Sequence, residues 1–249
     1  MSQSTLSSRS WTLLAVTALV IALGAGLLAG RSWHDSVSPP EGRAAMEKIV
    51  HDYILEHPEI LPQAMENLQK KENTQALSGI SDDVHKPFPG AVLGNPQGKV
   101  TLVEFTDFAC TFCRQSVAEV EQLIAANPDL RVVIRELPIL SPQSGDAAKM
   151  ALAAAEQGKY AAFHSAMFAA GRPAPDTIAA AAQAAGLDMV RARKTIADPR
   201  IEAELNRNIE FARQLGFNGT PSWIAGDALL SGAVGKDKLS EAIAAAHKG

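Results

Sequence analysis

The chain has 249 residues, 47% of them hydrophobic, and a formal net charge of −4. That is enough apolar matter for one domain of ordinary size with appendages, and the mildly acidic balance points away from nucleic acid. Two cysteines exclude a framework of several disulfides, and no second C-x-x-C or H-x3-H completes a zinc site, so no metal and no cofactor is expected. The six histidines, at 34, 51, 57, 85, 164 and 247, are scattered and read as solvated or satisfied side chains.

Residues 11–30, from Trp11 to Gly30, form an uncharged apolar run flanked by Arg9 and Arg31. The length matches the ~20 residues that cross a bilayer core as a helix. We read 1–31 as a cytoplasmic tail and transmembrane anchor in the inner membrane. A cleaved signal peptide is the rival reading, with Gly24-Ala25-Gly26 as small residues suited to cleavage. Either reading puts the rest of the chain in the periplasm or an equivalent extracytoplasmic space, where a disulfide persists.

Residues 32–77 read as a polar tether with Pro39-Pro40, followed by a helical segment. Met46, Ile49, Val50, Tyr53 and Ile54 recur at helical spacing. His57-Pro58 interrupts the pattern, because proline disfavours helical geometry in the residue before it. A second stretch carries Ile60, Leu61, Ala64, Met65 and Leu68 and runs out in polar residues 69–73. An apolar helical stripe must be covered by something. Self-association through residues 45–72, as a dimer or trimer, is one reading; packing onto the chain's own catalytic region is the other.

Residues 78–249 read as the catalytic domain, entered through a loop-like stretch from Ser78 to Gly98. Val100 to Phe105 is an apolar strand. The pair Cys110-Thr111-Phe112-Cys113 follows it and opens a helix with Val117, Val120, Leu123 and Ile124 on one face. A second strand runs Leu130 to Ile134, which gives a strand–helix–strand unit whose strands should be parallel. Residues 144–215 are rich in alanine, the best helix former, and are punctuated by Gly158, Gly186 and Asp198-Pro199. A hairpin around Gly226-Asp227 and a last helix, Lys236 to His247, close the chain.

A C-x-x-C at a strand-to-helix junction has the placement of a redox dithiol. Closing so short a loop restrains the unfolded chain little, so stabilisation is a poor reason for the pair. Cys110, at a helix start, is the candidate nucleophile, because free amides and the helix dipole favour its thiolate. Cys113, one turn in, is the candidate resolving thiol. Arg114 is either a further source of positive potential or a surface charge. Glu104 stands inside an apolar strand, six residues before Cys110, where an acid is costly unless paired or used. Arg135 and Glu136 are candidates to complete a charged pair with it.

The order of elements resembles a thioredoxin fold with an inserted helical domain, an α/β architecture here preceded by the anchor and the short helical segment. The words Gly94-Asn95-Pro96, Val103 to Arg114 and Gly219-Thr220-Pro221-Ser222-Trp223 are similar to those of DsbA-like exported disulfide oxidoreductases. Tyr53 to Glu59 resembles the amino-terminal segment of the ScsC and Com1-like branch. The resemblance implies a protein thiol–disulfide oxidoreductase or disulfide isomerase, with client proteins and a membrane redox partner. It implies that Pro221 is a cis-proline facing the dithiol, that Thr220 and Pro221 bind substrate backbone, and that Glu104 is the buried acid that takes the Cys113 proton. Thr111-Phe112 departs from the Pro or Gly, then His or Tyr, that many relatives carry. A copper-handling module with the C-x-x-C as soft ligands is the alternative, and the lack of Met or His in 108–114 stands against it.

Overall fold

The computed structural model describes residues 40–247, with isolated positions before them at 17, 19–23 and 25. The apolar run at 11–30 lies largely outside the described residues. Among the described residues, no helix is long and apolar enough to cross a membrane. The chain divides into two units after Glu66.

The amino-terminal unit contains α1 (Pro40–Glu56) and the beginning of α2 (Ile60–Leu77). Ion pairs one turn apart, Arg43–Glu47 at 3.0 Å and Lys48–Asp52 at 2.8 Å, run along α1. Met46, Ile49, Tyr53 and Leu55 are exposed.

In the larger unit, the polar stretch at 69–73 does not end α2, which continues to Leu77. Gln69 Nε2 donates to Asn73 Oδ1 at 2.8 Å, and Asn73 and Leu77 are buried. The stretch at 78–98 is not a plain loop. It holds a short helix, α3 (Ser81–His85), and a strand, β1 (Val92–Gly94). A three-residue strand is too short to display alternation in sequence. What fixes it is pairing with a distant strand, β3 (Leu130–Glu136), in which Val92 lies opposite Val133.

The sheet has the order β1-β3-β2-β4-β5, with β2 at Val100–Thr106, β4 at Ser222–Ala225 and β5 at Ala228–Ser231. Strand β2 is parallel to β3 and antiparallel to β4. Helix α4 (Thr111–Ala126) makes the crossover between β2 and β3. Between β3 and β4 the chain builds a helical layer: α5 (Pro142–Ala155), α6 (Tyr160–Ala170), α7 (Pro175–Ala184), α8 (Met189–Ile196) and α9 (Pro199–Gln214). Ser141, Asp188 and Asp198 cap α5, α8 and α9 by accepting from amides of their first turns. Helix α10 (Lys236–Ala246) ends the described chain.

Strand alternation sorts the core into two layers. Leu102, Val132, Ile134 and Trp223 belong to one, with α4, α5 to α8 and the first half of α9. Val103, Phe105, Val133 and Ile224 belong to the other, with Phe211 and Phe217. This alternation overturns one expectation. Arg135 does not pair with Glu104, because it shares the face of Val133, whereas Glu104 shares that of Ile134, its register partner. Arg135 Nη1 instead donates to Glu204 Oε1 at 2.7 Å and to Asn208 Oδ1 at 3.2 Å. Its other donors reach the carbonyls of Asp83, Val84 and Lys86, and its guanidinium lies 5.2 Å from the Phe211 ring. A buried charge is tolerable with this many partners, and the set ties α3 and α9 to the back of the sheet.

Candidate active site

Strand β2 ends at Thr106, and a tight turn leads into α4. Asp107 shapes that turn. Its Oδ1 accepts from the Ala109 amide at 2.8 Å, and its Oδ2 accepts from the Ile139 and Leu140 amides at 2.9 Å each. The carboxylate thus joins the dithiol turn to the loop after β3. Phe112, Ile139 and Leu140 are exposed, so apolar surface lies near the turn.

Cys110 occupies the N-cap position of α4, in extended geometry. Its Sγ accepts the Cys113 amide at 3.2 Å, the task an oxygen performs at most helix starts. The same sulfur lies 3.1 Å from the Thr220 carbonyl oxygen, to which the thiol donates. The Thr220–Pro221 bond is cis. Both cysteines are free thiols, 4% and 0% exposed. Arg114 follows, half-buried, and its Nε has no hydrogen-bond partner.

The two thiols are driven apart. The neighbouring Cys113 thiol stabilises a Cys110 thiolate most and, against the opposing effect of burial, brings Cys110 down to about 6. Burial pushes Cys113 far above the ordinary thiol range, and Cys110 and Glu104 push the same way. The thiolate form, which is the nucleophilic one, is thus favoured at Cys110 and disfavoured at Cys113.

Glu104 is 3% exposed and sits on the sheet face beneath the dithiol. Its register partners are Ile134 on β3 and Trp223 on β4, so apolar side chains flank it on both sides. Burial raises it to about 8; the Thr106 hydroxyl pulls it down and Cys110 adds to the rise. A carboxyl so placed is close to balance between holding and releasing a proton at neutral pH. Glu136 lies on the same face but pairs elsewhere: Tyr160 donates its hydroxyl to Glu136 Oε1 at 2.6 Å. Burial holds Glu136 well above the usual carboxylate range.

The structure therefore brings Cys110, Cys113, Glu104, Thr220 and Pro221 to one place, and puts Arg135 outside it. Sequence reasoning missed three neighbours. Asp107 carried a legible signal, an aspartate three residues before the helix N-cap, at the first position of the turn. Tyr160 and His164 did too, since Tyr160, Phe163, His164, Met167 and Phe168 share one apolar helix face. His164 is 4% exposed, not solvated, and burial lowers it to about 4.

A mixed sheet with a dithiol at the start of the helix after β2 and a cis-proline loop facing it defines a thioredoxin-fold protein with a redox site. The chain matches the DSBA-like thioredoxin domain over residues 101–244, more than half its length, and belongs to that family. Residues 43–75 match the N-terminal domain of the copper resistance protein ScsC. A thioredoxin-like oxidoreductase from Silicibacter pomeroyi is 41% identical, with a TM-score of 0.64, over 68% of this chain and 98% of that one. A periplasmic thioredoxin-like protein from Salmonella enterica serovar Typhimurium is 28% identical, with a TM-score of 0.62, over 69% of this chain and 98% of that one. The catalytic domain of Proteus mirabilis ScsC is 25% identical, with a TM-score of 0.63, over 70% of this chain and 98% of that one. Among curated proteins, a Na(+)/H(+) antiporter NhaA from Salinispora arenicola is 28% identical over 191 residues. That match takes in 73% of this chain and 29% of the antiporter, so the chain spans under a third of that relative's length.

Proposed function

We propose that this protein is an extracytoplasmic thiol–disulfide oxidoreductase that acts on protein disulfides through Cys110 and Cys113. The observation that carries the reading is the Cys110 sulfur itself: it caps α4, accepts the Cys113 amide and faces the Thr220 carbonyl. The Cys110 thiolate attacks a client disulfide, one client sulfur leaves, and a mixed disulfide forms. Cys113 gives its proton to Glu104 and attacks the Cys110 sulfur. The second client sulfur leaves, and the Cys110–Cys113 bond closes with two electrons passed to the client. Run in reverse, the same steps oxidise a client dithiol. The Thr220 and Pro221 backbone pairs with an extended client segment beside the thiols.

Residues 32–77 serve as tether and self-association segment, and 78–249 as the catalytic domain with its helical layer. Self-association through 45–72 would let several dithiols face one client, which suits isomerisation. The apolar run 11–30 directs the chain to, and holds it at, the inner membrane, with a membrane protein as redox partner. That the Salmonella relative is periplasmic supports the extracytoplasmic part of this reading alone. Copper capture by the pair is the second reading, and the lack of Met or His in 108–114 stands against it.

Replacing Cys110 by serine should abolish insulin reduction and the refolding of scrambled ribonuclease. Undiminished activity in Cys110→Ser would overturn the assignment.

A further inference from the structure

The strand order places a loop on each side of the dithiol turn, which follows the end of β2. The cis-proline loop enters β4 on one side, and residues 137–141 leave β3 on the other. Pairing between β2 and β3 stops at Thr106 and Glu136. One further bond follows, from the Leu137 amide to the Thr106 carbonyl at 2.7 Å. Beyond it the chain has left the sheet, and Pro138 has no amide hydrogen to give. A surface loop in that position is ordinarily mobile.

Asp107 takes over where the ladder ends. It is 1% exposed. Its Oδ2 holds the Ile139 and Leu140 amides, its Oδ1 holds that of Ala109, and its carbonyl accepts the Cys110 amide at 2.9 Å. The Ile139 amide is shared with the Leu137 carbonyl. Bonds from amides to a carboxylate are among the stronger ones, so one side chain fastens the loop to the turn. The far end of the loop is fixed as well, because Ser141 caps α5. What the loop presents is apolar. Ile139 and Leu140 are 45% and 49% exposed, whereas Leu137 is buried. Their amides are spent on Asp107, which leaves their side chains to meet a ligand.

We propose that Asp107 is a positioning residue for client recognition: it fixes the 137–141 loop to the dithiol turn, so that Ile139 and Leu140 meet apolar side chains beside the client's disulfide. The inference rests on the proposed attack of Cys110 on client disulfides and adds a requirement to it. A client disulfide at Cys110 lies between a loop that offers backbone and a loop that offers apolar side chains. Asp107 touches neither the client nor the thiols' reacting atoms; it sets the distance between Cys110 and the apolar loop.

The test compares insulin, a protein client, with 2-hydroxyethyl disulfide, which carries no apolar side chain. Asn has one acceptor oxygen where Asp107 uses two, so Asp107→Asn frees either the loop or the turn amide. It should raise KM for insulin about tenfold and lower the rate constant with the small disulfide by no more than about threefold. Ile139→Ser with Leu140→Ser removes the apolar groups and keeps the backbone bonds, and it should also raise KM for insulin about tenfold. Added to that pair, Asp107→Asn should raise KM by less than about twofold more, because the side chains it misplaces are already gone. Equal losses with both disulfides would mean that Asp107 acts on the thiols, and would overturn the proposal. Effects of Asp107→Asn and of the serine pair that simply multiply would overturn it too. So would an unchanged KM in the serine pair, whose exposed positions keep the test open if Asp107→Asn does not fold. A wild-type protein that reacts with neither disulfide would count against the proposed function instead. One that turns over both, with the variants unchanged, would count against this inference alone.

Discussion

Glu104 shows how one residue's position can be read in sequence and its surroundings only in three dimensions. An acid inside an apolar strand announced itself, and its distance from Cys110 matched the resemblance. Its cross-strand partners did not, because Arg135 and Glu136 are neighbours in sequence but alternate between faces. Only the register, Glu104 beside Ile134, decides which of them can approach it. The raised value has a consequence for stability. Glu104 favours the fold where it is protonated, so its contribution is complete below its ordinary 4.5 and is lost as pH rises through about 8. Glu104→Gln should therefore leave the reduced protein's stability little changed near pH 4 and raise it at pH 8 by roughly 2–4 kcal/mol, somewhat less than the full ~1.4 kcal/mol for each pH unit between the two midpoints. Thermal melts at the two pH values decide; the same change in melting temperature at both would contradict the buried, protonated carboxyl.

At the scale of elements, long patterned segments were legible and short ones were not. The β2–α4–β3 unit and the closing hairpin follow from apolar runs and turn residues near one another in sequence. Strand β1 and helix α3 lay hidden, since each takes its place from partners far along the chain: Val133 for β1, and Arg135 for the end of α3. Helix α2 outran its expected end because Asn73 and Leu77 are buried, which polar composition alone does not announce. Helix α1 presents the remaining question. Ile49 and Tyr53 are 64% and 53% exposed on one helix, and apolar stripes of this kind are covered in working proteins. In detergent, the full chain should sediment as a dimer or trimer, and Ile49→Glu with Tyr53→Glu should sediment as a monomer. A monomeric wild type would sink the self-association reading.

Across the whole molecule, the parts agree on one chemistry. A sheet of mixed direction sets the dithiol at a helix start, the helical layer covers the buried acids from one side, and the cis-proline loop faces the thiols from the other. The helical layer is where sequence was least informative. Its alanine-rich helices were plain, yet Tyr160 and His164 gain their meaning only from packing against a distant strand. Everything proposed for the protein depends on Cys110 being a thiolate where Cys113 is not. Thiolate absorbance near 240 nm, followed in the reduced protein as pH is raised, tests this directly. One thiolate should appear with a midpoint of about 6 and vanish in Cys110→Ser, while Cys113 stays protonated well past the ordinary thiol range. Two thiols titrating together near 9, the ordinary value, would contradict it.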